Sequence, residues 1–436
     1  MLRYYNFKKI ISSEDLIFIP VVLGLIQLCT ISLKFDSDYI IITLLSIVFK
    51  FFVFCKVNIK KNICLLTILL YYELTLVSSP LIDRMLFDEN YDIDQSIFLL
   101  KYELFLVILS IIFYWENNNY NHDQLKFKKN NLILFKVFIV MIAISFSFIA
   151  FKYSIGIMGQ VAPTLPFKFE PLVNLTRSHV IPLFFLTLFF VSYKKYVLLF
   201  YSNTWLFVVW LIIETFLRHS RGIFLYSLIP IIFFLIKKDV SKSGLIKIIL
   251  FSMLLTFTSF IIFKSVTELR GSHFDIKSSY KEAYKRFVHE NIIIGKIFDE
   301  KQKYGLGTLD NYINNKGGVN IHTFLLDKTK PGVPHSSGIT ALTDGLLINL
   351  EYGGYITMFL LVIMVRIFDY ICNIDKILDV IHPLFAIYIL ERIHWGDGFW
   401  SFFMFRSIFT ILVFPLTIFF IYLLLKYSLI SDSKIK

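Results

Sequence analysis

Residues 212–236 read IIETFLRHSRGIFLYSLIPIIFFLI, two apolar runs separated by Arg218, His219 and Arg221. An arginine at the centre of a membrane span costs roughly 2.5–3.5 kcal/mol, and less near the interface. The stretch therefore reads as two membrane-crossing helices joined by a short charged turn at 218–221. The same alternation of apolar run and short polar joint extends along most of the chain.

Of the 436 residues, 56% are hydrophobic and 17% charged, and mean hydropathy is +0.68. That is too apolar for a soluble chain of this length and too evenly apolar for one core, so the expected fold is an all-α polytopic membrane protein. The N-terminal stretch is basic, then apolar, with no small-x-small cleavage site, and reads as a retained first span. The formal net charge of +12 is spread in short Lys/Arg clusters between apolar runs, which fits orientation in a membrane and excludes nucleic acid as the partner.

Apolar runs at 15–33, 39–57, 63–82, 96–115, 132–151, 179–193, 197–217, 222–236, 245–263, 354–372, 380–393 and 400–426 suggest about twelve transmembrane helices. The sixth and eleventh are short against the ~20 residues a crossing needs. With the N-terminus inside, the clusters Lys8/Lys9, Lys56/Lys60/Lys61, Lys126/Lys128/Lys129, Lys194/Lys195, Lys237/Lys238/Lys242 and Lys434/Lys436 all fall on the cytoplasmic side, and so do both termini. The expected organisation is helices 1–9 in residues 1–263, a large exoplasmic loop in 264–353, and helices 10–12 in 354–436. Within the loop, Tyr280, Tyr284, Phe287, Val288 and Ile292 recur at helical spacing, which predicts an amphipathic helix on the membrane surface.

Cys29, Cys55, Cys64 and Cys372 lie in or beside spans without a CxxC pair, which argues against a disulfide framework or a thiolate metal site. No P-loop, dinucleotide-binding glycine pattern or HExxH occurs. An ATP-driven pump and a metal-dependent nucleotide-sugar enzyme are thereby disfavoured, and neither cofactor nor metal is expected.

Threading puts the 218–221 turn outside, where positive charge opposes the orienting bias and needs another reason. Arg218 and Arg221 are three apart and share a face if the helix end persists, while Gly222 admits close approach. Arg177, His179, Arg270, Arg392, His394 and Arg406 gather toward the same face. Interfacial arginines ordinarily snorkel to headgroups, but clustered guanidinium forks also suit the oxygens of a membrane-bound pyrophosphate. His335 or Glu351 could take the proton of an acceptor hydroxyl, whereas Asp344 reads as a cap or a partner within the loop. Inside the membrane, Glu73 is expected to pair with Lys101 near Glu103, and Lys50 and Arg366 to snorkel.

The segment RHSRGIFLYSLIPIIFF (218–234), followed after a large outer loop by HSSGITALTDGLLINLEYGGYITMFLL (335–361), resembles the bacterial Wzy-type polymerases of O-antigen and capsular repeat units. Arg221 and Gly222 match that family's Ser-Arg-Gly step. Asn349, Gly353 and Gly354 approximate its later Asn/Gly motif, from which NLEYGG departs. The resemblance implies metal-independent polymerisation of undecaprenyl-pyrophosphate-linked oligosaccharides at the outer face of the bacterial cytoplasmic membrane. A chain-length regulator and a flippase would be partners. The parts read from the residues are Arg218, Arg221, Arg270 and Arg177 on the pyrophosphate, with Arg392, His394, Arg406 and His219 as secondary candidates and His335 or Glu351 as base. The alternatives are an O-antigen ligase and, from another class, a lipid-linked oligosaccharide flippase or secondary transporter coupled through Glu73, Lys101 and Glu103.

Overall fold

A computed structural model describes residues 37–56, 61–82, 93–113, 125, 127–156, 169–193, 196–218, 229–235, 237, 261–262, 264–266, 268, 294, 297–298, 301, 305–314, 340–350, 352–390, 399–400 and 408–429. The main helices are α1 (Ser37–Lys56), α2 (Ile63–Ile82), α3 (Ile93–Ile112), α4 (Lys129–Lys152), α5 (Glu170–Ser192), α6 (Val197–Arg218), α7 (Leu309–Asn314), α8 (Ala341–Ile348), α9 (Gly353–Ile374), α10 (Lys376–Tyr388) and α11 (Ile408–Ser428). Among the described residues there is no strand beyond an isolated antiparallel bridge between Phe127 and Leu429.

Four of these helices, α4, α5, α6 and α9, are long and apolar enough to cross a membrane. In α4 the buried residues Leu132, Phe135, Ile139, Ala143 and Ala150 follow helical spacing, yet Leu134, Met141, Ile144, Phe148 and Phe151 on the other faces are exposed and equally apolar. A helix at a water interface would put polar residues there; an apolar outer face is consistent with lipid contact and a membrane protein. By contrast α5 is central: every residue from Ile181 to Ser192 is buried, against neighbours that include α4, α6, α10 and α11.

The direction of the helices follows from what touches what. Tyr102 packs on Tyr355 and Phe113 on Phe359, so α3 and α9 run side by side in the same direction. Asp369, late in α9, meets Cys64 at the start of α2, which therefore runs the opposite way. At the end of the bundle where α9 finishes, Tyr422 of α11 donates to Asp375, Lys128 N–H bonds the Ser428 carbonyl, and Tyr196 donates to the Phe127 carbonyl. Lys61, Lys128, Lys129, Lys237, Lys376 and Lys426 collect at this end. The opposite end holds the C-termini of α4 and α6, the first turns of α5, and the joint between α8 and α9.

Two sequence expectations about buried charge are corrected. Lys50 does not snorkel: it is buried and pairs with buried Glu103 at 2.7 Å, with Ser46 Oγ donating to the same carboxylate at 3.3 Å. Lys101 is exposed instead. Two residues along a helix is about 200° around it, so only one of the two positions can face the interior; the side chain of Glu73 lies outside the described residues. Arg366 is also buried, donating from Nε to the Phe113 carbonyl at 2.9 Å and from Nη1 to Asn62. Where an interior acceptor is closer than the interface, the charge turns inward.

Candidate functional site

The end opposite the lysines is organised around two buried polar centres. The first grows from the end of α4. Ser154 (φ 52°) and Gly156 (φ 74°) adopt left-handed backbone and turn the chain back. That leaves the Ile155 carbonyl to accept from Arg177 Nη1 at 2.7 Å. Arg177 lies in a π-helical turn, Thr176–Val180, within α5, and such turns commonly mark functional positions. Its side chain is fully buried. Nε contacts both Glu214 oxygens at 3.1 and 3.0 Å, and Nη2 contacts Oε2 at 2.7 Å. Ser147 Oγ donates to Glu214 as well, at 2.5 Å.

Arg218, one turn beyond Glu214 on α6, is half-buried and donates from Nη2 to Asn174 Oδ1 at 3.1 Å. Asn174 in turn sits against Gly156, where an added Cβ would stand 2.8 Å from its Oδ1. Arg177 and Arg218 are thus neighbours in one network but differ in kind. The contacts of Arg177 to Glu214 and the Ile155 carbonyl are internal, whereas Arg218 lies at the rim. The expectation that Arg177 directly grips a pyrophosphate finds no open face on its guanidinium.

The second centre joins α7, α8 and α9. Thr340 caps α8 reciprocally with Thr343, which fixes Asp344 in the first turn, fully buried. Tyr312 Oη donates to Asp344 at 2.7 Å and Trp400 N–H at 2.6 Å. The Trp400 indole donates to Thr357 Oγ1 at 2.8 Å, and Thr357 donates to the Gly353 carbonyl at 2.6 Å. Asn349 closes the turn between the helices: its side chain accepts from Tyr352 N–H at 3.0 Å and its carbonyl from Gly353 N–H at 2.8 Å. Gly353 lies directly on α8, with an added Cβ only 1.9 Å from the Gly345 carbonyl oxygen. Gly354 faces the Tyr102 ring, where an added Cβ would stand 2.4 Å from it. Asn349, Gly353 and Gly354 therefore have a packing role: they seat α8 on α9.

Burial pushes the Asp344 carboxyl up from 3.8 to about 7, although the Tyr312 and Trp400 hydrogen bonds oppose the shift. Between these values the folded chain holds a proton that the unfolded chain has released. The associated stability is fully present below about pH 4 and is lost as pH rises to about 7. Asp344→Asn, which supplies a donor toward Tyr312 and an acceptor for Trp400, is expected to remove this slope. Thermal unfolding of the two proteins between pH 4 and 8 checks it: the wild-type midpoint falls across the range by several degrees more than that of the variant.

A third polar network occupies the lysine-rich end. Asp369 accepts from the backbone N–H of Cys64 (3.0 Å) and Leu65 (3.1 Å), and His382 Nε2 lies 2.7 Å from its Oδ1. On the other side of the imidazole, Lys237 Nζ is 3.4 Å from Nδ1 and is held by the Asp379 carboxylate and carbonyl.

His219, Arg221, Gly222, Arg270, His335, Glu351, Arg392, His394 and Arg406 lie outside the described residues, as does most of the amphipathic segment. Sequence reading missed Glu214, Thr357, Trp400, Asp369, His382 and Asp379, and gave Asp344 only a local role. For Glu214 the signal was present, a carboxylate within IIETFLRHSRG. For the others it was a lone polar residue in an apolar run, which does not name its partner. No known protein family, curated protein or solved structure matches the chain.

Proposed function

We propose that the protein is a multi-span membrane glycosyltransferase that polymerises undecaprenyl-pyrophosphate-linked oligosaccharide repeat units at the outer face of the bacterial cytoplasmic membrane. The observation that carries this reading is the position of Arg218. It stands at the rim of the bundle end opposite the lysines, held by Asn174 and backed by the Arg177–Glu214 pair, where the chain enters the Ser-Arg-Gly step. Under the positive-inside bias, the lysine-rich end faces the cytoplasm and Arg218 faces outward. The Wzy-type resemblance of 218–234 and 335–361 supplies the reaction.

In this mechanism a sugar hydroxyl of the acceptor attacks the anomeric carbon of the lipid-linked donor. The bond from that carbon to the pyrophosphate oxygen breaks, and the pyrophosphate leaves on its lipid. Arg218, with Arg221 and Arg270, stabilises the charge gained by the leaving group, a role in which loss of one fixed donor commonly costs about 10²–10³ in rate. His335 or Glu351 takes the hydroxyl proton. Arg221→Ala and Arg218→Ala are each expected to collapse the polysaccharide of a complemented deletion strain to single repeat units, at normal protein level. Polymer of wild-type length from both variants would sink the pyrophosphate role. The deletion itself separates the neighbouring enzyme: loss of a polymerase leaves one repeat unit on the lipid core, whereas loss of an O-antigen ligase leaves none.

One observation favours a second reading, a lipid-linked oligosaccharide flippase or secondary transporter. The Lys50–Glu103 pair is buried, with Glu103 midway along α3 and Lys50 in the last two turns of α1, and ionisable groups buried within spans often mark substrate or proton paths. Translocation of lipid-linked oligosaccharide by the purified chain in liposomes, abolished by Glu103→Gln, would favour that reading over the first.

A further inference from the structure

Cys64 opens α2, Asp369 lies near the end of α9 and His382 lies in α10. One ligand atom from each, a thiol sulfur, a carboxylate oxygen and an imidazole nitrogen, falls within 4.8 Å of the other two, and all three residues are buried. The carboxylate at the centre is already oriented by two backbone N–H groups from the first turn of α2. Cys372, one turn beyond Asp369 on the same helix, is a second free and buried thiol.

We propose that Cys64, Asp369 and His382 bind one divalent transition-metal ion, Zn²⁺ by donor type, which clamps α2, α9 and α10 at the lysine-rich end. Sulfur, imidazole and carboxylate donors together suit zinc over the hard cations, which take oxygen ligands only. Backbone donors to the ligating carboxylate are the kind of outer support that such sites use. Charge balance also fits a buried site: a dication with one thiolate and one carboxylate is neutral overall, so burial leaves no net charge to solvate. In the metal-free form, protons on Cys64 Sγ and His382 Nε2 point toward Asp369. On binding, the thiol proton leaves to solvent and the imidazole proton shifts off Nε2, because ligands coordinate through deprotonated atoms. The imidazole proton then sits on Nδ1, and Lys237 stays with Asp379, its principal partner already. The fourth position falls to water, which keeps the site neutral. This site lies at the opposite end of the bundle from Arg218, so it is independent of the proposed sugar transfer.

The test uses the full chain in detergent, stripped with chelator, incubated with Zn²⁺, desalted and assayed by elemental mass spectrometry. One zinc per chain is expected, together with an unfolding midpoint that rises with Zn²⁺ concentration. Zinc should also slow alkylation of Cys64 in the wild type, mapped by peptide mass, a readout that needs no variant. In folded Cys64→Ser and His382→Gln, affinity should fall roughly tenfold or more. The proposal is overturned if the wild type retains no stoichiometric zinc, if Cys64 reacts equally with and without zinc, or if both variants keep wild-type affinity.

Discussion

Arg177→Ala is expected to destabilise the protein by roughly 3–5 kcal/mol, the range for removing one partner of a buried ion pair. The reason is the carboxylate left behind. Glu214 is completely buried, and its strongest contacts are those from the Arg177 guanidinium. Without them only Ser147 remains among the donors described above. The loss also strands the Ile155 carbonyl in the turn that ends α4. Glu214→Gln should cost less, because the amide keeps one acceptor for the guanidinium. The double variant Arg177→Met/Glu214→Leu should recover most of the loss, since replacing a whole buried pair by apolar side chains is often neutral or stabilising. Thermal unfolding and size-exclusion profiles of the four proteins in detergent measure this. If the double variant is as unstable as Arg177→Ala, the charge argument fails. Polysaccharide length in cells adds a second reading: a stable double variant that still makes long polymer would make Arg177 scaffold alone, whereas one that makes only single units would tie the pair to positioning Arg218.

Gly353→Ala should be the most damaging single-methyl change in the described part of the chain, at roughly 3 kcal/mol or more, the upper end of what overpacking costs. Its Cβ would stand 1.9 Å from the Gly345 carbonyl oxygen, and that obstacle is backbone held by the α8 helix. Relief requires α8 to move off α9, which would draw Asp344 away from the Trp400 N–H and Thr357 from the indole. Gly354→Ala meets the Tyr102 ring at 2.4 Å, a side chain that can rotate away, so its cost should be smaller. The ordering is the test. Limited proteolysis and the fluorescence of Trp400 should report a loosened joint in Gly353→Ala and a nearly native one in Gly354→Ala; equal behaviour would refute the backbone-against-backbone account.

These cases show how much of the site could be read in advance. NLEYGG was recognisable as a motif, and its glycines do mark a special joint, but their partner Gly345 lies inside ALTDGLLI, where nothing in the pattern singles it out. The arginines at 177 and 218 stand out in the sequence as charges beside apolar runs. That one would be sealed by Glu214 and the other held at a rim followed from a π-helical turn and a left-handed Ser154, and neither has a sequence signature. Cysteine spacing is only a local test for a thiolate metal site. Cys64 and Asp369 are 305 residues apart, and no local motif can report their meeting.

What the amino-acid sequence determined by itself is the class of the chain: helical, apolar on all sides, and consistent with a membrane protein. The physical reason is that hydrocarbon supplies no hydrogen-bonding partners, so every crossing segment must satisfy its own backbone and carry apolar side chains, and both demands are local. Tertiary structure alone decided which charges meet. A lipid-facing helix is apolar on its outer face as well as its inner one, as α4 is, so periodicity cannot say which side is buried. Packing settled that Lys50 meets Glu103, Arg177 meets Glu214 and Lys237 meets Asp379, because in a low-dielectric interior each charge is stable only where the fold brings its partner within reach.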